Sequence, residues 1–506
     1  MKIHLKKAIR KSKRLLFQSV KASLITLLFT SCGGENTNSG LLIAEEFSIT
    51  VEEGLFNGAV FGNVDVTNLT GQDLTFVLES QTPSGAISID ASTGALAVAD
   101  AQLLAESQSP IHAIYSVIAE GGERDASSIT ITVIPLDPTK DRTSFITTWR
   151  TFVANETITI PTFPGLTYNY SVDWGDGNTS RNQTGNATHA YSTAGIYEVA
   201  ISGDFPAIYF NFGSERNKIL TIEQWGNIEW TTMQEAFEGC GNLTYNAIDI
   251  PDLSGVTNMA RVFSSAGRFN GFIGNWDVSN VTDMSNTFRS ASSFNQDINA
   301  WDVRNVTNMQ SMFERASSFN KPLDSWNVGK VITMSDMFEN TNAFNQPIGA
   351  WDVSKVINMA NMFESARVFN QPIGEWDVRS VTSMGDMFED AISFNQPLNN
   401  WKVGNVTSMR EMFDNAAAFN QPLDRWDVRK VRDMGRMFER ASSFNQALAT
   451  WDVSAVTSMW RMFINAPAFN QDLSGWSVGS VTNCSTFNTN SGLSAGNLPN
   501  FTSCTP

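Results

Sequence analysis

Tryptophan recurs every 25 residues through the C-terminal half of this 506-residue chain. The positions are Trp276, Trp301, Trp326, Trp351, Trp376, Trp401, Trp426, Trp451 and Trp476. Methionine and phenylalanine recur at the same period, in series that start at Met259 and Phe288. A fixed period of this length is typical of repeat proteins, in which each copy buries one apolar face against the next. We therefore expect stacked coils over residues 223–482 and a terminal cap over residues 483–506, where the pattern decays.

One copy combines two apolar patterns. The first has steps of 3, 4 and 3 and predicts one stripe of a short helix: Val306, Met309, Phe313 and Ala316. The second predicts a strand and a turn: Phe319, Leu323, Trp326 and Val328. Because apolar residues surround the aromatic rows, we expect these rows to form the core. The alternative is a platform on which sugars or bases stack.

An asparagine follows the strand phenylalanine in every copy. The series runs from Asn270 to Asn470 and includes Asn295, Asn320, Asn345, Asn370 and Asn395. Stacked amides can bond the backbone and the next coil, which satisfies polar groups that would otherwise cost about 1–3 kcal/mol each. We expect a structural amide ladder here, with a row of glycan-binding amides as the alternative.

An acidic residue occupies one position in six successive copies. These residues are Glu314, Glu339, Glu364, Glu389, Asp414 and Glu439, and we call them the carboxylate row. A solvated face, with the adjoining Arg315 and Arg440 offsetting the repulsion between the carboxylates, is one interpretation. The other is a surface row that binds a cationic partner or bridging cations.

Two β-rich segments precede the repeats. Residues 46–136 and 141–222 contain short alternating strands separated by turn residues, which predicts two antiparallel β-sandwiches. Asp173, Asp176 and His189 could be interpreted as an acid–base set. We favour turn and strand roles for them, since nothing in the sequence indicates the cleft that shifted pKa values require.

The N-terminus has the features of a secretory signal. Residues 1–31 contain eight basic residues, no acidic residue and a short apolar run. The segment Leu28-Phe29-Thr30-Ser31-Cys32 resembles the lipobox of bacterial lipoproteins, which implies a lipidated Cys32, a tether over residues 32–45 and a lipid anchor on the outer surface of the cell envelope. A plain signal peptide is the alternative.

Composition excludes several classes of function. The formal net charge is −17, which disfavours nucleic acid as a partner because phosphate contacts need clustered cations. Three scattered histidines argue against histidine metal sites and catalytic triads. We therefore expect no enzymatic activity and no cofactor, with calcium as the one candidate ion.

Three family resemblances refine these expectations. The segments WDVSNVTDM (276–284) and MFERASSFNKPL (312–323) resemble BspA-like leucine-rich-repeat surface proteins of bacteria. That resemblance implies a leucine-rich-repeat-type solenoid with adhesion or binding roles, and it carries over no catalytic residue. Residues 141–222 resemble a PKD-type domain through the turn Trp174-Gly175-Asp176-Gly177. Residues 46–136 resemble a cadherin-like repeat through the segment GAISIDASTGAL (85–96). The predicted fold class is thus multidomain: a cadherin-like and a PKD-like β-sandwich, followed by a solenoid of 25-residue repeats.

The cadherin-like resemblance of residues 46–136 implies a calcium site. Glu53 and Glu106 match two family glutamates, and Glu120 stands at a motif aspartate position. Asn68 and Leu104 depart from the family pattern, so the oxygens are few for calcium. Separately, Cys484 and Cys504 are a candidate disulfide pair in an oxidising compartment.

These observations favour a surface lipoprotein that binds an extracellular protein, a glycan or a neighbouring cell through its repeats. The alternative is a structural or self-associating envelope protein, calcium-dependent through its cadherin-like domain.

Overall fold

The computed structural model describes residues 42–52, 58–64, 66–68, 72–105, 110–134 and 141–506. The predicted signal peptide and most of the tether therefore lie outside the described residues. Regular secondary structure in the described part is almost entirely β. No helix of this part is long and apolar enough to cross a membrane.

The first β segment forms two main sheets. Its elements are β1 (Leu42–Ala44), β2 (Phe47–Glu52), β3 (Val60–Asn63), β4 (Val66–Asn68), β5 (Leu74–Thr82), β6 (Ile87–Ile89), β7 (Ala95–Val98), α1 (Ala101–Ala105), β8 (Ile111–Ala119) and β9 (Arg124–Ile134). One sheet has the order β2-β9-β8-β5 and the other β3-β7-β6, while β1 pairs with β4. Alternate residues of β8 are buried in a core that belongs to this segment, as period-2 patterning requires.

The second β segment is built on a six-stranded sheet. Its elements are β10 (Phe145–Thr151), β11 (Glu156–Ile160), β12 (Asn169–Asp173), β13 (Thr179–Gln183), β14 (Ala187–Tyr191), β15 (Gly195–Asp204), a 3₁₀ helix (Ser214–Asn217), β16 (Ile219–Gln224) and β17 (Thr244–Tyr245). The sheet order is β13-β12-β15-β10-β16-β17, and β11 pairs with β14.

Strand β17 already belongs to the first coil of the repeat region, and it pairs in parallel with β16. The buried core is also continuous from Phe145 to Leu493. At the junction, the ring of Trp225 lies 5.4 Å from that of Phe145 and 5.4 Å from that of Trp276. The second β segment therefore covers the N-terminal end of the stack, an end that would otherwise expose apolar side chains to water.

The coils contain no helix between residues 246 and 494. Ser311 and Arg315 have φ values of 54° and 59°, and equivalent residues in the other coils also have positive φ, which a right-handed helix does not allow. The amide of Met309 donates to the carbonyl of Thr333 (3.1 Å), in the next coil, and that of Phe313 donates to Met337 (2.9 Å). The predicted helix is wrong because consecutive turns satisfy the same 3-4-3 apolar spacing.

Over the same residues the predicted strand of each coil is also absent as a regular element, and only a single bridge remains. Neighbouring coils share one isolated parallel bridge, in a series that runs from Asn258 and Asp283 to Ser458 and Asn483. The predicted fold class, two β-sandwiches followed by a leucine-rich-repeat-type solenoid, is therefore wrong. The described chain is a nearly all-β arrangement of sheets, followed by turn-rich coils. Backbone hydrogen bonds between neighbouring coils hold these coils together without helices or continuous strands.

The aromatic rows lie in the core of the stack. No tryptophan of the 25-residue series is more than 5% exposed. Phenylalanine rings stack from coil to coil, as between Phe313 and Phe338 (5.6 Å between centroids). From Trp301 onward each indole N–H donates to a carbonyl 28 residues earlier, such as Trp401 to Ile373 (3.0 Å). From Trp301 to Trp476 the core thus satisfies the one polar group that each tryptophan brings into it, whereas the indole N–H of Trp276 is buried without a hydrogen-bond partner within the described chain.

The last residues cover the C-terminal end of the stack. Cys484 and Cys504 form a disulfide, and Phe501 packs edge-on against Phe487. The short 3₁₀ helix Ala495–Asn497 places the side-chain amide of Asn497 so that its Nδ2 donates to the backbone carbonyl of Asn470 (3.2 Å). The segment therefore occupies the place of a further coil.

Candidate functional site: the carboxylate row

Turn geometry fixes the position of each acidic side chain in the row. Glu314 directly follows the buried Phe313 and precedes Arg315, whose φ is positive. Its own amide donates to the carbonyl of Ser311 (3.2 Å), which closes a tight turn. Since every coil repeats this turn, stacking aligns the acidic side chains along the array.

The row is less exposed than a surface row should be. Glu314, Asp414 and Glu439 are only 3%, 0% and 2% exposed, and Glu339, Glu364 and Glu389 are partly buried. The prediction of a solvated surface row is therefore wrong for the two ends of the row. Stacked turns on both sides of each carboxylate remove it from water.

Arginines neutralise both ends. At the N-terminal end, Arg289 donates to Glu314 (3.0 Å). At the C-terminal end, Arg440 lies 2.8 Å and Arg436 3.0 Å from the oxygens of Asp414. Ion pairing makes the burial of these carboxylates tolerable. Even so, burial raises the pKa of Asp414 to about 7, against the opposing effect of Arg440.

The centre of the row has no such compensation. Among the described residues, neither Glu364 nor Glu389 forms an ion pair. Burial, followed by the charge of neighbouring carboxylates, raises the pKa of Glu364 to about 7 and that of Glu389 to about 8. Near neutral pH these two groups are therefore partly protonated, and an incoming cation would favour their ionised forms.

A second acidic row, not predicted from the sequence, lies three residues upstream of the first. It includes Asp336, Asp386 and Glu411. Aligning the copies at a 25-residue step would have revealed it, but Ser311 and Asn361 interrupt the series. The tertiary structure brings one oxygen each of Asp386, Glu389 and Glu411 within 4.8 Å of one another. Glu411 is already paired with Arg410 and with Arg436 (2.7 Å), and calcium takes about six to eight oxygens, so these three residues alone do not make a calcium site.

A polar groove runs along the N-terminal half of the row. Its volume is about 530 Å³, and its lining includes Arg289, Glu314, Arg315, Asp336 and Glu339. The groove is open to solvent, and arginines as well as carboxylates line it.

The asparagine series forms a ladder along another edge of the coils. Asn295, Asn320, Asn345, Asn370 and Asn395 each donate a backbone N–H to the Oδ1 of the asparagine one coil earlier, at 2.8–3.0 Å. The glutamine after most of these asparagines also donates to the preceding asparagine, as Gln371 does to Asn345 (3.0 Å).

The remaining predicted residues do not converge on this face. Cys32, Glu53 and Glu106 lie outside the described residues, and Glu120 is exposed. Leu104, at a motif aspartate position, is buried in the apolar core of the first segment. These positions offer no assembled calcium site within the part of the chain that is described.

The acidic residues of the second β segment have structural contacts. Asp176 and His189 lie 2.8 Å apart, and the imidazole stacks on Trp174 (5.1 Å between centroids). Asp173 accepts the amide N–H of Gly175 (3.0 Å). They hold a turn against a strand.

Comparisons with solved structures show low similarity to cadherin ectodomains. The human desmocollin-1 ectodomain is 16% identical, with 34% of this chain and 39% of that chain covered and a TM-score of 0.19. Mouse protocadherin-24 EC1-3 is 14% identical, with coverages of 33% and 71% and a TM-score of 0.18. Protocadherin gamma B7 domains 1-4 are 11% identical, with 33% of this chain and 42% of that chain covered and a TM-score of 0.17. The chain thus spans about two fifths of the desmocollin and gamma B7 chains.

No curated protein matches the chain. The repeat region does match a family model described as "Mycoplasma protein of unknown function, DUF285", three times, at residues 231–348, 333–441 and 398–501. The specific assignment to BspA-like leucine-rich-repeat proteins is not confirmed. Because the matches together extend over more than half of the sequence, this chain belongs to the DUF285 family of repeat proteins.

Proposed function

We propose that the chain is a non-enzymatic adhesion protein of a bacterial cell envelope, which binds a positively charged partner along the centre of the carboxylate row. The observation that carries the proposal is the partly buried pair Glu364 and Glu389, which has no ion-pair partner in the described part of the chain. The resemblance of the repeats to bacterial surface proteins and the lipobox-like segment at Cys32 support an anchored location on the outer surface.

The partner we propose is a protein segment that presents lysine or arginine. A cationic side chain that enters the row would offset the repulsion between carboxylates that stacking brings together. Since the pKa values of Glu364 and Glu389 are raised to about 7 and 8, binding releases protons from the row. Affinity should therefore rise between pH 6 and pH 9.

We propose no catalysis for this face. Residues 223–506 contain no histidine, and the repeats place the same residue types in coil after coil without a singular set of a nucleophile and a base. A recurring row of like groups suits binding along an extended partner better than chemistry at one bond.

Binding of the full chain to a decalysine peptide tests the proposal. We expect binding at pH 8.5 and low salt, weaker binding at pH 6.5, and weaker binding at high salt because of screening. The double variant Glu364→Gln/Glu389→Gln should lose at least about tenfold in affinity. Glu375→Gln, on an exposed turn between these coils, is the matched control and should bind as the parent does.

Absence of peptide binding at either salt concentration would contradict the proposal, as would unchanged affinity of the double variant. Cell attachment separates adhesion from the architectural alternative. An adhesin with the double substitution loses attachment to its target cells, whereas a purely structural envelope protein attaches, or fails to attach, equally well with and without it.

A further inference from the structure

The asparagine ladder leaves hydrogen-bonding groups unused at every step. In the coils from Asn320 to Asn420, each Oδ1 accepts from the next coil. The Nδ2 groups of Asn345 and Asn370, however, have no partner among the described residues, and neither do the Oε1 atoms of Gln371 and Gln396. The coils that contain these residues therefore offer unpaired donor groups and unpaired acceptors on the same edge of the stack.

These amides are held in place before any ligand arrives. The Nε2 of Gln371 donates to both the backbone carbonyl of Asn345 (2.9 Å) and its Oδ1 (3.0 Å). Gln396 makes the same two bonds to Asn370, both at 3.0 Å. Side chains that are already ordered lose little conformational entropy when they bind.

The Asn-Gln-Pro segments that carry the row are themselves uncharged and partly apolar. From Asn345 to Gln421 each copy has the sequence Asn-Gln-Pro, with exposed prolines at Pro347, Pro372 and Pro397. On a chain of formal net charge −17, such a neutral stripe is unfavourable for an ionic ligand and suited to a neutral one.

The spacing suits a polymer. The phenylalanine rings directly before the amides repeat at 6.1 Å (Phe344 to Phe369) and 6.1 Å (Phe369 to Phe394), so the amides that follow them recur at a regular step from coil to coil. Paired sugar hydroxyls both accept from N–H groups and donate to carbonyl oxygens. Ring C–H faces can pack on the prolines.

From the free donor and acceptor in successive coils, their fixed orientation and the uncharged Asn-Gln-Pro segments that carry them, we infer that this edge, the amide row, binds a neutral extended polysaccharide that lies along the stack. This inference adds a second binding face to the proposed function and does not depend on the carboxylate row.

Binding of the full chain to polysaccharides tests the inference. Cellulose and chitin are used as insoluble probes in co-sedimentation, and xylan, mannan and mixed-linkage glucan as soluble probes in affinity electrophoresis. We expect at least one to bind. The variant Gln371→Met/Gln396→Met keeps side chains of similar length without amides, and should weaken that binding by about tenfold through the loss of two polar contacts.

The variant Glu364→Gln/Glu389→Gln is the control. It should keep full polysaccharide affinity, while the Met variant should keep full decalysine affinity, so that failure of either proposal is seen separately. If the Met variant does not fold, hydrogen exchange of the unmodified chain with the bound polysaccharide decides the question. Protection should then centre on residues 343–348 and 368–373.

Three outcomes would overturn the inference. They are failure of all five polysaccharides to bind, unchanged affinity of a folded Met variant, and protection that is confined to other edges of the coils.

Discussion

Replacement of Trp401 by alanine tests whether the periodic tryptophans are core residues. Trp401 is 1% exposed, and its ring stacks between those of Trp376 and Trp426, each at 6.4 Å between centroids. The indole N–H also donates to the carbonyl of Ile373 (3.0 Å). Removing a buried tryptophan of this kind leaves a cavity that the neighbouring coils can only partly close.

The magnitude follows from these contacts. Substitutions of buried tryptophan by alanine cost about 3–5 kcal/mol. The lost hydrogen bond adds no large penalty of its own, because the carbonyl of Ile373 keeps the backbone N–H of Trp376 (3.2 Å). We therefore expect Trp401→Ala to lower the free energy of unfolding by about 3–5 kcal/mol, and Trp401→Phe to have a smaller effect.

Equilibrium unfolding in urea, followed by circular dichroism, measures the change. Lys402→Ala, at the exposed neighbouring position, is the control and should stay within about 0.5 kcal/mol of the parent. A loss below about 1 kcal/mol for Trp401→Ala, together with a loss of polysaccharide binding, would refute a core role. The tryptophans would then be a wetted sugar platform.

Three further predictions concern stability. Cys504→Ser should lower the free energy of unfolding by about 3 kcal/mol, since the bond to Cys484 closes a loop with a sequence separation of 20; reduction of the parent should reproduce the loss in a melting experiment, and a melting temperature indifferent to reductant would contradict it. Burial raises the pKa of Glu389 to about 8, so the contribution of this one group to the stability of the parent should be greatest below about pH 5 and should be lost as pH rises to about 8. Glu389→Gln should flatten that dependence in melting curves recorded from pH 5 to pH 9, and equal slopes for the two proteins would count against the assignment. Gly175→Ala should cost about 1–3 kcal/mol because its φ is 75° and a Cβ would meet a backbone carbonyl of β15; Gly177→Ala, also at positive φ but with open space around its Cβ, should cost less in the same assay.

Part of the site could be read from the sequence. The 25-residue step placed Glu314 to Glu439 in one row, because residues at equal positions of stacked copies must align. The sequence could not show that the acidic side chains of this row are wholly or partly buried. The turns on both sides of each carboxylate and the arginines that approach from adjacent coils are brought there by contacts about 25 residues apart, such as Arg440 to Asp414.

The periodic tryptophans, methionines and phenylalanines alone determined that copies stack and which side chains point inward, since only a repeated apolar face must be covered by a neighbour. The backbone path was decided by the tertiary structure. Apolar spacing is equally compatible with a helix and with a series of turns. Backbone hydrogen bonds between coils, such as that from Met309 to Thr333, stabilise the turns. Likewise, only the folded stack left Glu364 and Glu389 without cations while supplying arginines to both ends of the same row, because charge compensation depends on which side chains of adjacent coils reach one another.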